Sequence, residues 1–186
     1  MINTSTVVYI DLDDTIVNLS KAVIDEMNRE FNMNYDYRDN TSYWWLDTGK
    51  TQEYFEDVLC RKGVFKYAQP IMGAGVNIDW LHQKGINIIF LTTPHYENPH
   101  CVDEKVTWLK HQFKWFDPYK HLICTNRKDL VGTKDDILID DNPNHIKGFK
   151  GVGICYAQKF NEDYKGIRMG DWNKIADYIM KLEEEF

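Results

Sequence analysis

Apolar and polar positions fall along this chain in blocks that read alternately as strands and helices. Residues 7–10, Val7-Val8-Tyr9-Ile10, form a β-branched and aromatic run suited to a buried parallel strand, and the run breaks abruptly at Asp11. A helix follows, with Ser20 as its expected cap and Val23, Met27 and Phe31 along one side. Residues 32–50 read as a polar and aromatic loop. A second helix starts near Thr51 and places Tyr54, Phe55, Val58 and Leu59 on one side, and a connector marked by Gly63, Pro70 and Gly73 comes next. From Ala74 the pattern becomes regular. A helix over 74–84 stops at Gly85, a strand covers 86–92, and Asn98-Pro99 open a helix carrying Val102, Val106, Leu109 and Phe113. Strands are expected near 121–125, 136–140 and 152–156, and a closing helix from Asp171 turns Trp172, Ile175, Ile179 and Leu182 inward.

Such alternation argues for an α/β fold, a parallel sheet with helices on both faces. The helical stretch 18–70 interrupts the alternation straight after the first strand. It is expected to form a small helical cap inserted into a core domain made of residues 1–17 and 71–186. With 43% hydrophobic and 14% aromatic residues in 186, the chain can bury a sizeable core, which excludes a disordered protein. Its 22 basic against 29 acidic residues give a net charge of −7, a poor basis for gripping a polynucleotide, though not for holding a small phosphorylated ligand. Cys60, Cys101, Cys124 and Cys155 are widely spaced without a C-x-x-C and read as reduced thiols. No signal-peptide pattern opens the sequence, and no segment approaches a membrane span, so the expectation is a cytoplasmic protein.

The candidate chemistry sits at the strand ends, where α/β folds place their sites. The first strand runs into Asp11, Leu12, Asp13; with a period of two, both acids project to one side while Leu12 returns to the core. Residues 86–94 end in Thr92 and Thr93, and residues 136–141, DILIDD, end in Asp140 and Asp141. Between those two strands lies Arg127-Lys128-Asp129. Each of these has an ordinary alternative as a strand end or an acidic turn. Their order along the chain is the stronger signal. His95, His100 and His145 match no zinc spacing and read as structural or solvated.

The order D-x-D-x-T, strand-Thr, Lys, strand-Asp-Asp resembles the four motifs of the haloacid dehalogenase-type phosphatase superfamily. Within it, G-V-F-K and P-I-M-G-A at 63–74, FLTTP, the helix C-V-D-E-K-V-T-W-L at 101–109, and R-K-D-L-V with D-I-L-I-D-D-N-P are similar to the 5′(3′)-deoxyribonucleotidases. The match spans residues 7–147. Asp14 stands where that family usually has Gly, Thr15 where it often has Val, and Pro70-Ile71-Met72-Gly73 carries an extra residue. The resemblance implies a Rossmann-like parallel sheet and a Mg²⁺-dependent phosphomonoesterase acting on deoxyribonucleoside monophosphates. It implies Asp11 as nucleophile, forming an aspartyl-phosphate, and Asp13 as general acid and base. Mg²⁺ would be held by Asp11, Asp140 and Asp141 with the backbone carbonyl of Asp13; which of Asp140 and Asp141 binds directly stays open, with Asp141 preferred. Thr92, Thr93 and Lys128 would bind the phosphoryl group, Lys128 being chosen over Lys134.

The aromatics Tyr43, Trp44, Trp45 and Phe65 lie in the insertion and are candidates to stack on a nucleobase, with the cap's own small core as the ordinary alternative. Because Trp44 and Trp45 are adjacent, one of them is expected to face the cleft. The expected partner is a nucleotide, with no polynucleotide and no membrane; a homodimer is compatible with the sequence. Other small-molecule phosphates, polynucleotide ends, or a phospho-receiver or nucleotide-binding module without turnover remain as alternatives.

Overall fold

The computed structural model describes residues 6–185. Six strands form one all-parallel sheet: β1 (Val7–Ile10), β2 (Asn87–Thr92), β3 (Leu122–Cys124), β4 (Ile137–Asp140), β5 (Val152–Tyr156) and β6 (Arg168–Met169). Their order is β3-β2-β1-β4-β5-β6, so the chain winds outward from β1 in one direction and then restarts beside it in the other. The crevice at that reversal is where a Rossmann-type sheet forms its site.

Strand periodicity builds two separate cores. Val8, Ile10, Ile88, Phe90, Ile137 and Ile139 point to one face, while Tyr9, Leu91 and Leu138 point to the other. The first face is covered by α3 (Ala74–Gln83), α4 (Cys101–Gln112) and α7 (Trp172–Glu185), through residues such as Ile78, Leu109 and Ile175. The second is covered by α6 (Pro143–Gly148) through Ile146, with Phe149 after it. A further short helix, α5 (Pro118–His121), leads into β3. The expected α/β architecture, helices on both faces, is the one observed. The two-residue β6 was not foreseen, because so short a strand carries no periodicity.

Between β1 and α3 lie α1 (Leu19–Phe31) and α2 (Gln52–Cys60). They share an apolar cluster of their own, in which Val23, Ile24, Met27, Phe55, Val58 and Leu59 meet Trp45 and Phe65. Thr51 caps α2 by accepting from the Tyr54 N–H at 3.3 Å. The start of α1 differs from the expectation: the residue before it is Asn18, without a side-chain cap, and Ser20 lies inside the first turn. Phe31 is half-exposed at the far end of the same helix. The face of α4 is also shifted, because Val102 is exposed while Glu104, Lys105 and Trp108 are buried. All four cysteines are free thiols. Among the described residues no helix is long and apolar enough to cross a membrane.

Candidate active site

The site begins where β1 stops. The Asp11 N–H still donates to the Ile139 carbonyl at 2.9 Å, and then the chain folds on itself, with the Leu12 carbonyl accepting from Thr15, Ile16 and Val17. Leu12 turns into the core, and Asp11 and Asp13 both border one cavity of about 240 Å³. Asp14 makes the turn possible in a left-handed conformation, φ +52°. Glycine adopts that region most readily, and Asp tolerates it because its short side chain can bond locally. Here it bonds to α1: its carboxylate accepts from the Ser20 N–H at 2.9 Å and the Ser20 hydroxyl at 2.6 Å. Ser20 is thus a donor to the turn rather than the helix cap.

Two further elements bring their side chains to the same crevice. The short 3-10 turn Lys128–Leu130 buries Lys128, whose Nζ donates to Asp11 Oδ1 at 2.5 Å and to Asp140 Oδ2 at 2.6 Å. Lys134, the alternative lysine, is exposed. From the end of β4, Asp140 accepts also from the Asn142 N–H at 2.8 Å and lies 3.0 Å from His145 Nδ1. Asp141 borders the cavity, and among the described residues no donor is bonded to its carboxylate. Carboxylate oxygens of Asp11, Asp140 and Asp141 lie within 4.8 Å of one another, all buried.

Three buried carboxylates against one ammonium leave negative charge without a partner, and the acids respond accordingly. Burial, reinforced by Asp140 and Asp13, outweighs Lys128 and lifts Asp11 to about 6. Burial and the Asp140 charge push Asp141 well above the carboxylate range. Asp140 alone lies lower than usual, because Lys128 and His145 overcome its burial. Burial likewise raises Asp14 to about 7 despite its bonds from Ser20. An all-oxygen, charge-deficient cluster of this kind fits a hard divalent cation such as Mg²⁺.

Lys105 was not picked out from the sequence. Its buried Nζ donates to Asp13 Oδ2 at 2.6 Å, Thr92 Oγ1 at 2.9 Å and the Thr93 carbonyl at 2.8 Å. Thr92 is therefore fully buried behind the cavity, while Thr93 borders it. Two of the histidines read as structural or solvated also border the cavity, His95 and His145. Besides the family resemblance of 101–109, the signal for the buried face of α4 is the helical spacing of Cys101, Lys105 and Trp108, which two charges at its centre obscure.

Tyr43, Trp44, Trp45 and Phe65 all line the cavity, joined by Phe160 from the core. Both tryptophans reach it because Trp45 is left-handed, φ +54°, which breaks the alternation expected of neighbours. Trp45 forms the buried back wall, its Nε1 donating to Ser20 Oγ at 2.8 Å, with Trp44 edge-on to it at 6.3 Å. Tyr43 is half-exposed and meets Phe160 edge-to-face at 5.8 Å.

The model of the family described as 5′ nucleotidase, deoxy (pyrimidine), cytosolic type C protein matches residues 5–184. A Staphylococcus epidermidis protein with the provisional name 5′(3′)-deoxyribonucleotidase is 23% identical over 179 residues, covering 95% of this chain and 97% of that one. Among solved structures, a hydrolase from Pseudomonas syringae aligns with a TM-score of 0.60 at 13% identity, over 95% of this chain and 98% of that one. A haloacid dehalogenase-type hydrolase of Bacillus subtilis bound to magnesium aligns with a TM-score of 0.56 at 11% identity, over 94% and 98%. These structures share the fold. Matched by the family model along nearly its whole length, the chain belongs to this nucleotidase family, a branch of the haloacid dehalogenase-like phosphatases that act on phosphomonoesters.

Proposed function

We propose that this chain hydrolyses deoxyribonucleoside monophosphates to nucleoside and inorganic phosphate, with Mg²⁺. The observation that carries the reading is a buried acid cluster opening directly into an aromatic-walled cavity. Asp11 and Asp141, with the Asp13 carbonyl and with Asp140 beside them, would hold Mg²⁺, which supplies charge neutralisation between carboxylate and phosphate. Asp141 is the preferred direct ligand because its carboxylate carries no protein donor, whereas Lys128, Asn142 and His145 surround that of Asp140.

Asp11 attacks phosphorus and forms an aspartyl-phosphate as the bond to the sugar oxygen breaks. Asp13 gives a proton to that oxygen, then takes one from the water that attacks the phosphorus of the intermediate, releasing phosphate and restoring Asp11. Lys105 holds Asp13 Oδ2, and Oδ1 has no protein hydrogen bond among the described residues. Lys128 opposes the charge on the phosphoryl oxygens, and Thr93, which borders the cavity, supplies a neighbouring hydroxyl; Thr92, expected to share that task, instead accepts from Lys105 behind the cavity wall.

Residues 18–70 act in this reading as a cap that closes over the leaving group. A nucleobase stacked on such aromatics gains roughly 1–3 kcal/mol. The acidic surface disfavours a polynucleotide, and four free thiols accord with a cytoplasmic setting. The test is phosphate release from 5′- and 3′-mononucleotides, deoxy and ribo, and from sugar phosphates, with Mg²⁺ or with chelator. Metal-dependent release favouring deoxynucleotides, abolished by Asp11→Asn, is expected. Turnover confined to sugar phosphates would keep the catalytic cluster and refute the assignment of the cap.

A further inference from the structure

The segment between α2 and α3 that carries Phe65 is built of turns over 61–67, and its backbone is bridged to the chain after β1 only beyond them, at Gln69–Ile71. The turns themselves are held from α4. The Glu104 carboxylate accepts from the Gly63 N–H through Oε1 at 2.5 Å and from the Phe65 N–H through Oε2 at 3.2 Å. One turn further along the helix, Trp108 Nε1 donates to the Ala68 carbonyl at 2.9 Å. Glu104 is only 4% exposed. A carboxylate is buried at such depth only where hydrogen bonds replace its water, and here both oxygens are used on backbone of the same loop.

The path of the loop at its first anchor is narrow. Gly63 has φ +98°, and a Cβ there would lie 2.9 Å from the Tyr67 ring. Two residues on, the Phe65 ring is buried against the cavity, 5.0 Å from Lys105 Nζ, the same ammonium that holds Asp13. Neighbouring residues on one helix therefore govern both ends of the site. Lys105 reaches the acid beside the nucleophile, and Glu104 reaches the aromatic wall.

We infer that Glu104 is a positioning residue for substrate selection: by fixing the backbone at Gly63 and Phe65 it sets the Phe65 ring where the base of the leaving nucleoside stacks. This rests on the nucleotidase reading above. Without Glu104 the two amides lose their acceptor, the ring is free to shift, and stacking weakens while the acid cluster is untouched.

The experiment compares thymidine monophosphate with ethyl phosphate, a phosphomonoester that has no ring to stack, in native protein, Glu104→Gln, Phe65→Leu and the double variant. The glutamine keeps the shape, but its NH₂ cannot accept, so one amide is orphaned. For Glu104→Gln, KM for thymidine monophosphate is expected to rise about tenfold with kcat nearly unchanged. For ethyl phosphate, kcat/KM should stay within about twofold. Phe65→Leu should raise KM for thymidine monophosphate likewise, and Glu104→Gln added to it should cost nothing further on that substrate, because Glu104 acts through that ring. Glu104→Asp, which keeps the charge and shortens its reach, is the second variant should glutamine prevent folding, and it should show the same split.

Equal losses on both phosphates, or additive effects in the double variant, would overturn the inference and leave the nucleotidase reading standing. Native protein that handles both phosphates alike would overturn the nucleotidase reading itself, and the inference with it.

Discussion

Asp14 holds a left-handed backbone position at the mouth of the site, where the resembling family usually has glycine. Its carboxylate tethers Ser20, and its burial lifts it to about 7. A carboxylic acid raised in the fold binds its proton more tightly there than in the unfolded chain, so its ionisation works against folding as pH rises from about 4 to about 7. Asparagine tolerates the same backbone region and can still accept from the Ser20 N–H. In metal-free protein, Asp14→Asn is therefore expected to raise Tm, by more at pH 8 than at pH 5; a gain that shrank with pH would contradict this. At this scale, Asp11, Asp13, Asp140 and Asp141 were legible because each pair marks an abrupt end to an apolar run. Lys105 and His145 were not. A charge within a helix reads as a solvent face, and only the folded chain shows what lies opposite it.

Helices and strands of the core were legible for a related reason: their apolar residues recur at the period of the element, as in Ile137-Leu138-Ile139 or Trp172, Ile175 and Ile179. What periodicity does not reveal is which of two plausible faces a helix buries. On α4 the Val102–Val106 line looked apolar, yet the helix turns Glu104 and Lys105 inward because loop amides and Asp13 await them. The entry to α1 was misread for a similar reason, since the partner of Ser20 lies six residues upstream rather than in its own first turn. Ser20 Oγ joins two elements, donating to Asp14 and accepting from the Trp45 indole. Ser20→Ala would leave both buried groups without that partner and should destabilise the fold by about 2 kcal/mol in urea denaturation. A change below a few tenths would show that these groups find other partners.

For the molecule as a whole, the topology gathers chemistry from distant parts of the chain. Asp11, Lys128 and Asp140 meet because β4 lies beside β1 at the reversal of strand order. The arrangement carries its own electrostatic cost. Asp11, Asp14 and Asp141 all lie above their ordinary values, and Asp140, held low by Lys128, works in the opposite sense. With three raised carboxylates against one lowered, the metal-free protein should lose stability between about pH 4 and pH 7 as they ionise. Deprotonated ligands bind a cation more tightly, so the rise in Tm on adding Mg²⁺ should be larger at pH 8 than at pH 5. A pH-independent rise would point to binding away from the acid cluster.

In the proposed mechanism Asp11 becomes covalently phosphorylated. A single turnover of thymidine monophosphate labelled in its phosphate, quenched in acid at short times and mapped by peptide mass, tests it most directly. Transient label is expected on the peptide containing Asp11, appearing before free phosphate and absent from Asp11→Asn. Turnover with no labelled peptide at any time, or label on another side chain, would contradict it.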